Sequence, residues 1–166
     1  MIICDSREQK NGHILRYFEQ HVIPYKIEKM EVADYQIRGN DKIVVDRKQN
    51  LDEVASNLFY KGKTAAENNG RKIPSDVARF WKEVRRAFEH RIKMVVLVEH
   101  GNGITELRDI AKWNSSHSGI SGRQLMDKID EVQIAYGIKF MFCDKSETPR
   151  KILDILGWED NHGGDQ

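Results

Sequence analysis

Residues 33–48 read Ala33-Asp34-Tyr35-Gln36-Ile37-Arg38-Gly39-Asn40-Asp41-Lys42-Ile43-Val44-Val45-Asp46-Arg47-Lys48. Tyr35-Gln36-Ile37 and the β-branched run from Lys42 to Asp46 are strand-like, and Gly39-Asn40-Asp41 between them is a turn signal. If the strands pair antiparallel about a turn near residue 40, Asp34 and Asp46 meet at one end of a sheet. Side chains alternate along a strand, so Asp46 and Lys48 share a face and Arg47 points away. Upstream, Tyr25-Lys26-Ile27-Glu28-Lys29-Met30 also alternates, which predicts a three-strand meander.

Two carboxylates a few ångströms apart repel unless one is protonated or a cation sits between them. Hard oxygen ligands favour Mg2+ over Zn2+. A lysine on the same face can orient or help deprotonate a metal-bound water, while the metal stabilises charge on a phosphodiester oxygen. The pattern is that of hydrolytic nuclease chemistry. An Asp-x-Lys triplet is common on solvated strands, so its weight comes from the rest of the chain.

Outward from this stretch, strands and helices alternate. Met1 to Cys4 reads as a strand and Gly12 to His21 as a helix with Ile14, Leu15 and Phe18 on one face. Asn50 and Glu53 have capping-box spacing ahead of the stripe Leu51, Val54, Ala55 and Leu58. Lys61 to Lys72 reads as a basic loop, and Ser75 as the cap of a helix whose Val77, Phe80, Trp81, Val84 and Phe88 are core residues. Met94 to Glu99 is a buried strand. A Ser/Gly-rich loop over Asn114 to Gly122 precedes a helix carrying Leu125, Ile129, Val132 and Tyr136, which Gly137 ends. Ile138 to Phe142 is a strand and Glu147 to Leu156 a last helix. The class is α/β, a central mixed sheet flanked by helices. One domain is expected over 1–157, with 158–166 a disordered polar tail.

Composition narrows the function classes. The 166 residues hold 27 Lys and Arg against 26 Asp and Glu, a net charge of +1, which excludes a globally basic polymer. The positive charge is concentrated: residues 61–93 carry 10 basic and 4 acidic groups. The longest apolar run, Met94 to Val98, is far short of the roughly 20 residues of a membrane span. The first residues lack a basic segment and an extended apolar core, so no secretion signal is expected. Two cysteines, Cys4 and Cys143, match no metal spacing and suit a reducing, intracellular compartment. No HExxH pair or phosphate-binding P-loop is present, and Gly101-Asn102-Gly103 lacks the third glycine of a dinucleotide fingerprint, reading as a simple turn.

The same residues resemble the nuclease domain of the XPF family of structure-specific DNA endonucleases, a branch of the PD-(D/E)XK superfamily with a restriction-endonuclease-like fold. Ala33-Asp34 stands for the family's Gly-Asp, and Asp46-Arg47-Lys48-Gln49-Asn50-Leu51-Asp52 for its Glu-Arg-Lys, three residues and Asp. Ile3-Cys4-Asp5-Ser6-Arg7-Glu8 is similar to its opening strand. Arg79-Phe80, Val95-Val96-Leu97-Val98-Glu99, Tyr136-Gly137 and Glu147-Thr148 follow in family order, so the likeness covers about 1–157.

The resemblance implies that Asp34, Asp46 and the backbone carbonyl of Arg47 bind Mg2+, with Mn2+ able to substitute, and that Lys48 acts on the attacking water. It places Asp5, Arg7 and Glu8 beside the metal, Glu8 on a metal-bound water and Arg7 on a phosphate. Asp52 belongs to the motif, although an acid in a helix's first turn is stabilising in itself. The implied activity is cleavage of branched, flap or fork DNA, with Lys61, Lys63, Arg71, Lys72, Arg79, Arg85 and Arg86 as phosphate contacts. The alternatives are a catalytically silent DNA-binding partner and a Holliday-junction resolvase-type enzyme. Homo- or heterodimerisation is expected through the C-terminal helices, from Ser121 to Tyr136 and around Ile152 and Leu156. The 166 residues hold no counterpart of the family's tandem helix-hairpin-helix module, so duplex affinity is expected to come from elsewhere.

Overall fold

The computed structural model describes residues 1–59 and 74–159. In chain order its elements are β1 (Ile2–Asp5), α1 (Gly12–Gln20), β2 (Tyr25–Glu28), β3 (Tyr35–Ile37), β4 (Asn40–Lys48), α2 (Leu51–Leu58), α3 (Ser75–Glu89), β5 (Lys93–Val98), a 3-10 turn (Leu107–Lys112), α4 (Gly122–Tyr136), β6 (Lys139–Phe142) and α5 (Thr148–Leu156). The strands form one sheet in the order β2-β1-β3-β4-β5-β6. The β1/β2, β4/β5 and β5/β6 pairs are parallel, and the β1/β3 and β3/β4 pairs antiparallel. The mixed sheet agrees with the sequence reading.

The expected meander is not formed. Because α1 connects β1 to β2, the two strands run parallel, as such a crossover requires. The chain then crosses the sheet end through Met30–Asp34 and lays β3 on the other side of β1. Only β3 and β4 form the hairpin read from the sequence, and its turn lies at Arg38-Gly39, with Ile37 paired to Asn40 and Gly39 at φ +80°. The longer β4 absorbs the difference in an irregularity between that pair and Tyr35↔Val45.

Helices cover both faces, which is why Met94 to Val98 is apolar throughout rather than alternating. Val44, Met94, Val96, Val98, Phe140 and Phe142 pack under α2, α3 and α4. Ile2, Cys4, Tyr35, Val45 and Leu97 pack under α1 and α5. Both cysteines are buried and unpaired. Leu125, Ile129 and Val132 belong to the first cluster and Ile152 and Leu156 to the second, so these apolar stripes are part of the chain's own core. Trp158, at the start of the expected tail, packs against the second cluster, while 160–166 lie outside the described residues.

Helix ends follow local chemistry. Asn50 Oδ1 accepts the Glu53 N–H at 2.9 Å, but the Glu53 carboxylate accepts from Gln49 N–H, one residue beyond the reciprocal box. Ser75 is the first helical residue of α3 rather than its cap, which is Pro74. Ser121 and Gln124 form a full capping box on α4, and Gly137 closes it at φ +66°. Phe80 is buried as expected, whereas Phe88 is 57% exposed and meets Tyr136 edge to face. No helix among the described residues is long and apolar enough to cross a membrane.

Candidate active site

The β3/β4 register decides the site. Tyr35 pairs with Val45; Asp34, just before β3, lies beside this end of β4, close enough to Asp46 for their charges to interact, and Asp46 faces away from the side that buries Val45. Asp34 is tied in place by its N–H to the Val45 carbonyl at 3.0 Å and its carbonyl to Asp5 N–H at 2.8 Å. Its Oδ2 accepts the Arg47 N–H at 2.8 Å. The Lys48 carbonyl accepts from Glu99 on the β5 side. Alternation along β4 therefore turns the Arg47 N–H and C=O the other way, toward Asp34.

Asp34, Asp46 and Lys48 are all buried. Lys48 Nζ lies 2.9 Å from Asp46 Oδ2 and 4.7 Å from the centroid of the Phe80 ring. The Lys48 ammonium is the one partner of Asp46 Oδ2 among the described residues, and the oxygen is otherwise buried without a hydrogen bond. Burial, then the charges of Asp46 and Glu8, hold the Asp34 carboxyl well above the usual carboxylate range. For Lys48, burial pulls downward, but Asp46 and Asp34 outweigh it and raise the ammonium above its ordinary value. Two acids thus share a buried sheet end with one ammonium.

This donor set suits a small hard cation. Among the described residues, no group of three or more His, Cys, Asp and Glu is arranged to hold a metal. What is available is two carboxylates, one of whose oxygens is met only by the Lys48 ammonium, and the Arg47 carbonyl turned toward them. Mg2+ characteristically takes one or two carboxylates and keeps several waters, so the set fits.

The other expected residues divide into two networks. On the opposite face, Arg47 donates from Nε to Glu8 Oε1 at 2.7 Å, from Nη2 to Glu8 Oε1 and to the Gln9 carbonyl, and from Nη1 to Glu99 Oε1 at 2.5 Å. Glu99 also contacts His13 Nε2 and accepts from Thr148 Oγ1. Glu8 Oε1 is thus engaged by Arg47, while its charge and those of Asp34 and Asp46 act on one another, so Glu8 also stands near the two acids. In the second network, Asp5 Oδ2 accepts from Arg7 Nε at 2.8 Å, and Asp5 Oδ1 accepts the N–H groups of Arg7 and Met30. Arg7 also reaches the Met30 carbonyl at 2.7 Å and keeps about a third of its side chain exposed. Asp52 accepts from Ser115 Oγ at 2.8 Å, tying the first turn of α2 to the loop before α4.

Glu83 was not among the residues singled out in the sequence. It is buried on α3, and its Oε2 accepts the Ala33 N–H at 3.0 Å. Arg7 Nη2 and Arg79 Nε stand 3.6 and 3.7 Å from its Oε1. Burial first, then Asp46, push its carboxyl up to about 7. The signal was present: Glu83 is three residues after Phe80 and falls on the apolar stripe, where an unpaired charge is costly. Of the basic candidates, Arg79 is half-exposed beside Glu83, Arg86 pairs with Glu31 at 2.7 Å, and Arg85 is exposed. Lys61, Lys63, Arg71 and Lys72 lie outside the described residues.

A family model, the ERCC4 domain, matches residues 4–154. Among solved structures, XPF from Aeropyrum pernix is similar with a TM-score of 0.63 and 19% sequence identity, over 93% of this chain and 62% of that one. The same protein in complex with DNA gives 0.62 and 20%, over 94% of this chain and 62% of that one. The chain thus spans less than two thirds of the length of these neighbours, and at such identity the likeness shows the fold, which is that of the XPF nuclease domain. The search of curated proteins finds no match.

Proposed function

The chain belongs to the ERCC4-domain family, and on that premise we propose that it is a Mg2+-dependent endonuclease acting on DNA with a branch, flap or fork. The observation that carries this reading is the proximity of buried Asp34 and Asp46 at one sheet end, with the Lys48 ammonium 2.9 Å from Asp46 Oδ2. DNA is supported as substrate by the neighbour solved in complex with it and by the basic segment over 61–93.

Asp34, Asp46 and the Arg47 carbonyl would hold the ion, which when bound supplies a Lewis acid for the phosphodiester and a more acidic water. The chain's own side chains do the rest. Phe80 and Asp46 fix the Lys48 ammonium beside the carboxylates, where it orients the attacking water and offsets negative charge building on the phosphate. Asp5 holds Arg7 by one edge and leaves its exposed part for a flanking phosphate. Arg47, bridging Glu8 and Glu99, locks the ends of β4 and β5 together, so the carbonyl facing Asp34 keeps its position.

The test is incubation of the protein with labelled fork, flap and four-way DNA in Mg2+. Cleavage is expected with the wild type and a loss of at least about 100-fold with Asp34→Asn or Asp46→Asn. Cleavage that survives either substitution removes the assignment, and binding without cleavage identifies the silent partner instead.

A further inference from the structure

Ala33 stands where the resemblance places glycine, and the structure shows what glycine would do there: the backbone is left-handed at φ +60°. An L-residue with a Cβ is strained in that region, and alanine left to itself returns to negative φ. Such a rotation would swing the next peptide, which carries Asp34. The buried Glu83 carboxylate opposes it by accepting the Ala33 N–H at 3.0 Å. Glu83 is held in turn from its other oxygen by Arg7 and Arg79, at 3.6 and 3.7 Å. Helix α3 thereby clamps the crossing that delivers Asp34 to the sheet end.

We propose that Glu83 is a positioning residue: by gripping the left-handed Ala33 peptide it fixes Asp34 in the geometry the metal needs, replacing the conformational freedom a glycine would give. The proposal rests on Asp34 being a metal ligand, as argued above. It makes the grip matter only while residue 33 has a Cβ. With glycine there, the bonds of Asp34 to Val45 and Arg47 suffice to hold the peptide.

The experiment uses the wild type, Glu83→Gln, Glu83→Ala, Ala33→Gly and the Ala33→Gly/Glu83→Ala double variant, and reads two quantities. Amide hydrogen exchange at Ala33 and Asp34 reports the clamp without any metal, and Mn2+ affinity from the spin-resonance signal of free ion reports the ligand geometry. Glu83→Ala is expected to speed exchange at these two amides about tenfold, with β5 unchanged, and to weaken Mn2+ binding about tenfold. Glu83→Gln keeps an acceptor oxygen and is expected within about threefold of wild type on both. The double variant is expected to recover most of the lost Mn2+ affinity. If Glu83→Ala does not fold, Glu83→Met fills its volume without an acceptor and serves in its place.

Unchanged exchange in Glu83→Ala overturns the clamp whatever Mn2+ does. An equal Mn2+ loss whether residue 33 is alanine or glycine, or a loss in Glu83→Gln as large as in Glu83→Ala, also overturns it, assigning the effect to charge. Faster exchange in Glu83→Ala together with wild-type Mn2+ binding that Asp34→Asn leaves unaltered supports the clamp but overturns the metal reading itself.

Discussion

Glu83 carries the clearest pH signature among single residues. Its carboxyl is pushed up to about 7 by burial and by Asp46, against 4.5 for an unperturbed glutamate. Between those values the folded chain holds a proton that the unfolded chain has released, so stability falls as pH rises through the window. Glutamine cannot titrate. In the presence of a chelator, the stability of Glu83→Gln relative to wild type is therefore expected to rise from pH 5 to pH 8, by up to roughly 3 kcal/mol. Urea unfolding at each pH measures it, and a difference that is flat or shrinks with pH contradicts the assignment. Asp34, Asp46 and Lys48 were legible because spacing about a turn and alternation along a strand are geometric facts of the sequence. Glu83 was legible only as a charge on an apolar stripe, since its partner is a backbone N–H fifty residues away that no local pattern encodes. The engagement of Glu8 by Arg47 was hidden for the same reason: a motif names residue types but not which acid a buried guanidinium selects.

Among the elements, helix ends divide into those that sequence marks and those it does not. Gly137 closes α4 in the left-handed region and could be read as a stop. Helix α1 ends in the same geometry without a glycine: Val22 N–H donates to Glu19 and Ile23 N–H to Phe18, with Val22 at φ +54° and 76% exposed. A β-branched residue is poorly suited to that conformation, so Val22→Gly is expected to stabilise the protein by about 1 kcal/mol, read as an increased urea midpoint with unchanged slope. The opposite case is Gly122, in the first turn of α4. A Cβ there would stand 1.9 Å from the Ile110 carbonyl oxygen and 2.4 Å from that of Trp113. Both are backbone atoms and cannot turn aside, so Gly122→Ala is expected to cost at least about 3 kcal/mol, the upper end for overpacking. A thermal midpoint within about 2 °C of wild type, where such a cost gives a shift of roughly 6 °C or more, would contradict the packing. The place of β2 was illegible because alternation identifies a strand but not its neighbour. The α1 crossover sends it to the outer side of β1, away from the hairpin that carries the acids.

For the whole molecule, near-neutral charge hides local asymmetry: 61–93 hold 10 basic and 4 acidic groups, while the buried acids Asp34 and Asp46 share one sheet end. Asp34 is held above the usual carboxylate range by burial and by Asp46, so the folded state bears an electrostatic cost at this sheet end that a cation between the carboxylates would relieve. A ligand that binds only the folded state stabilises it by mass action, about 2.7 kcal/mol at roughly one hundred times its dissociation constant. For a domain of about 150–250 residues this corresponds to a rise in thermal midpoint of roughly 5–10 °C. Mg2+ or Mn2+ is therefore expected to raise the wild-type midpoint by that amount, reversibly with chelator. Because burial and Asp46 favour the protonated form of Asp34 over the charged form an ion needs, the increment is expected to grow as pH rises. Asp34→Asn/Asp46→Asn removes the ligands, so it is expected to gain nothing from added Mg2+, while the loss of both partners of the buried Lys48 ammonium lowers its midpoint without metal. Monovalent salt at matched ionic strength separates site binding from screening, since screening acts on both proteins alike. An equal Mg2+ increment in the two proteins would place the stabilisation elsewhere on the surface and remove the metal from the Asp34/Asp46 pair.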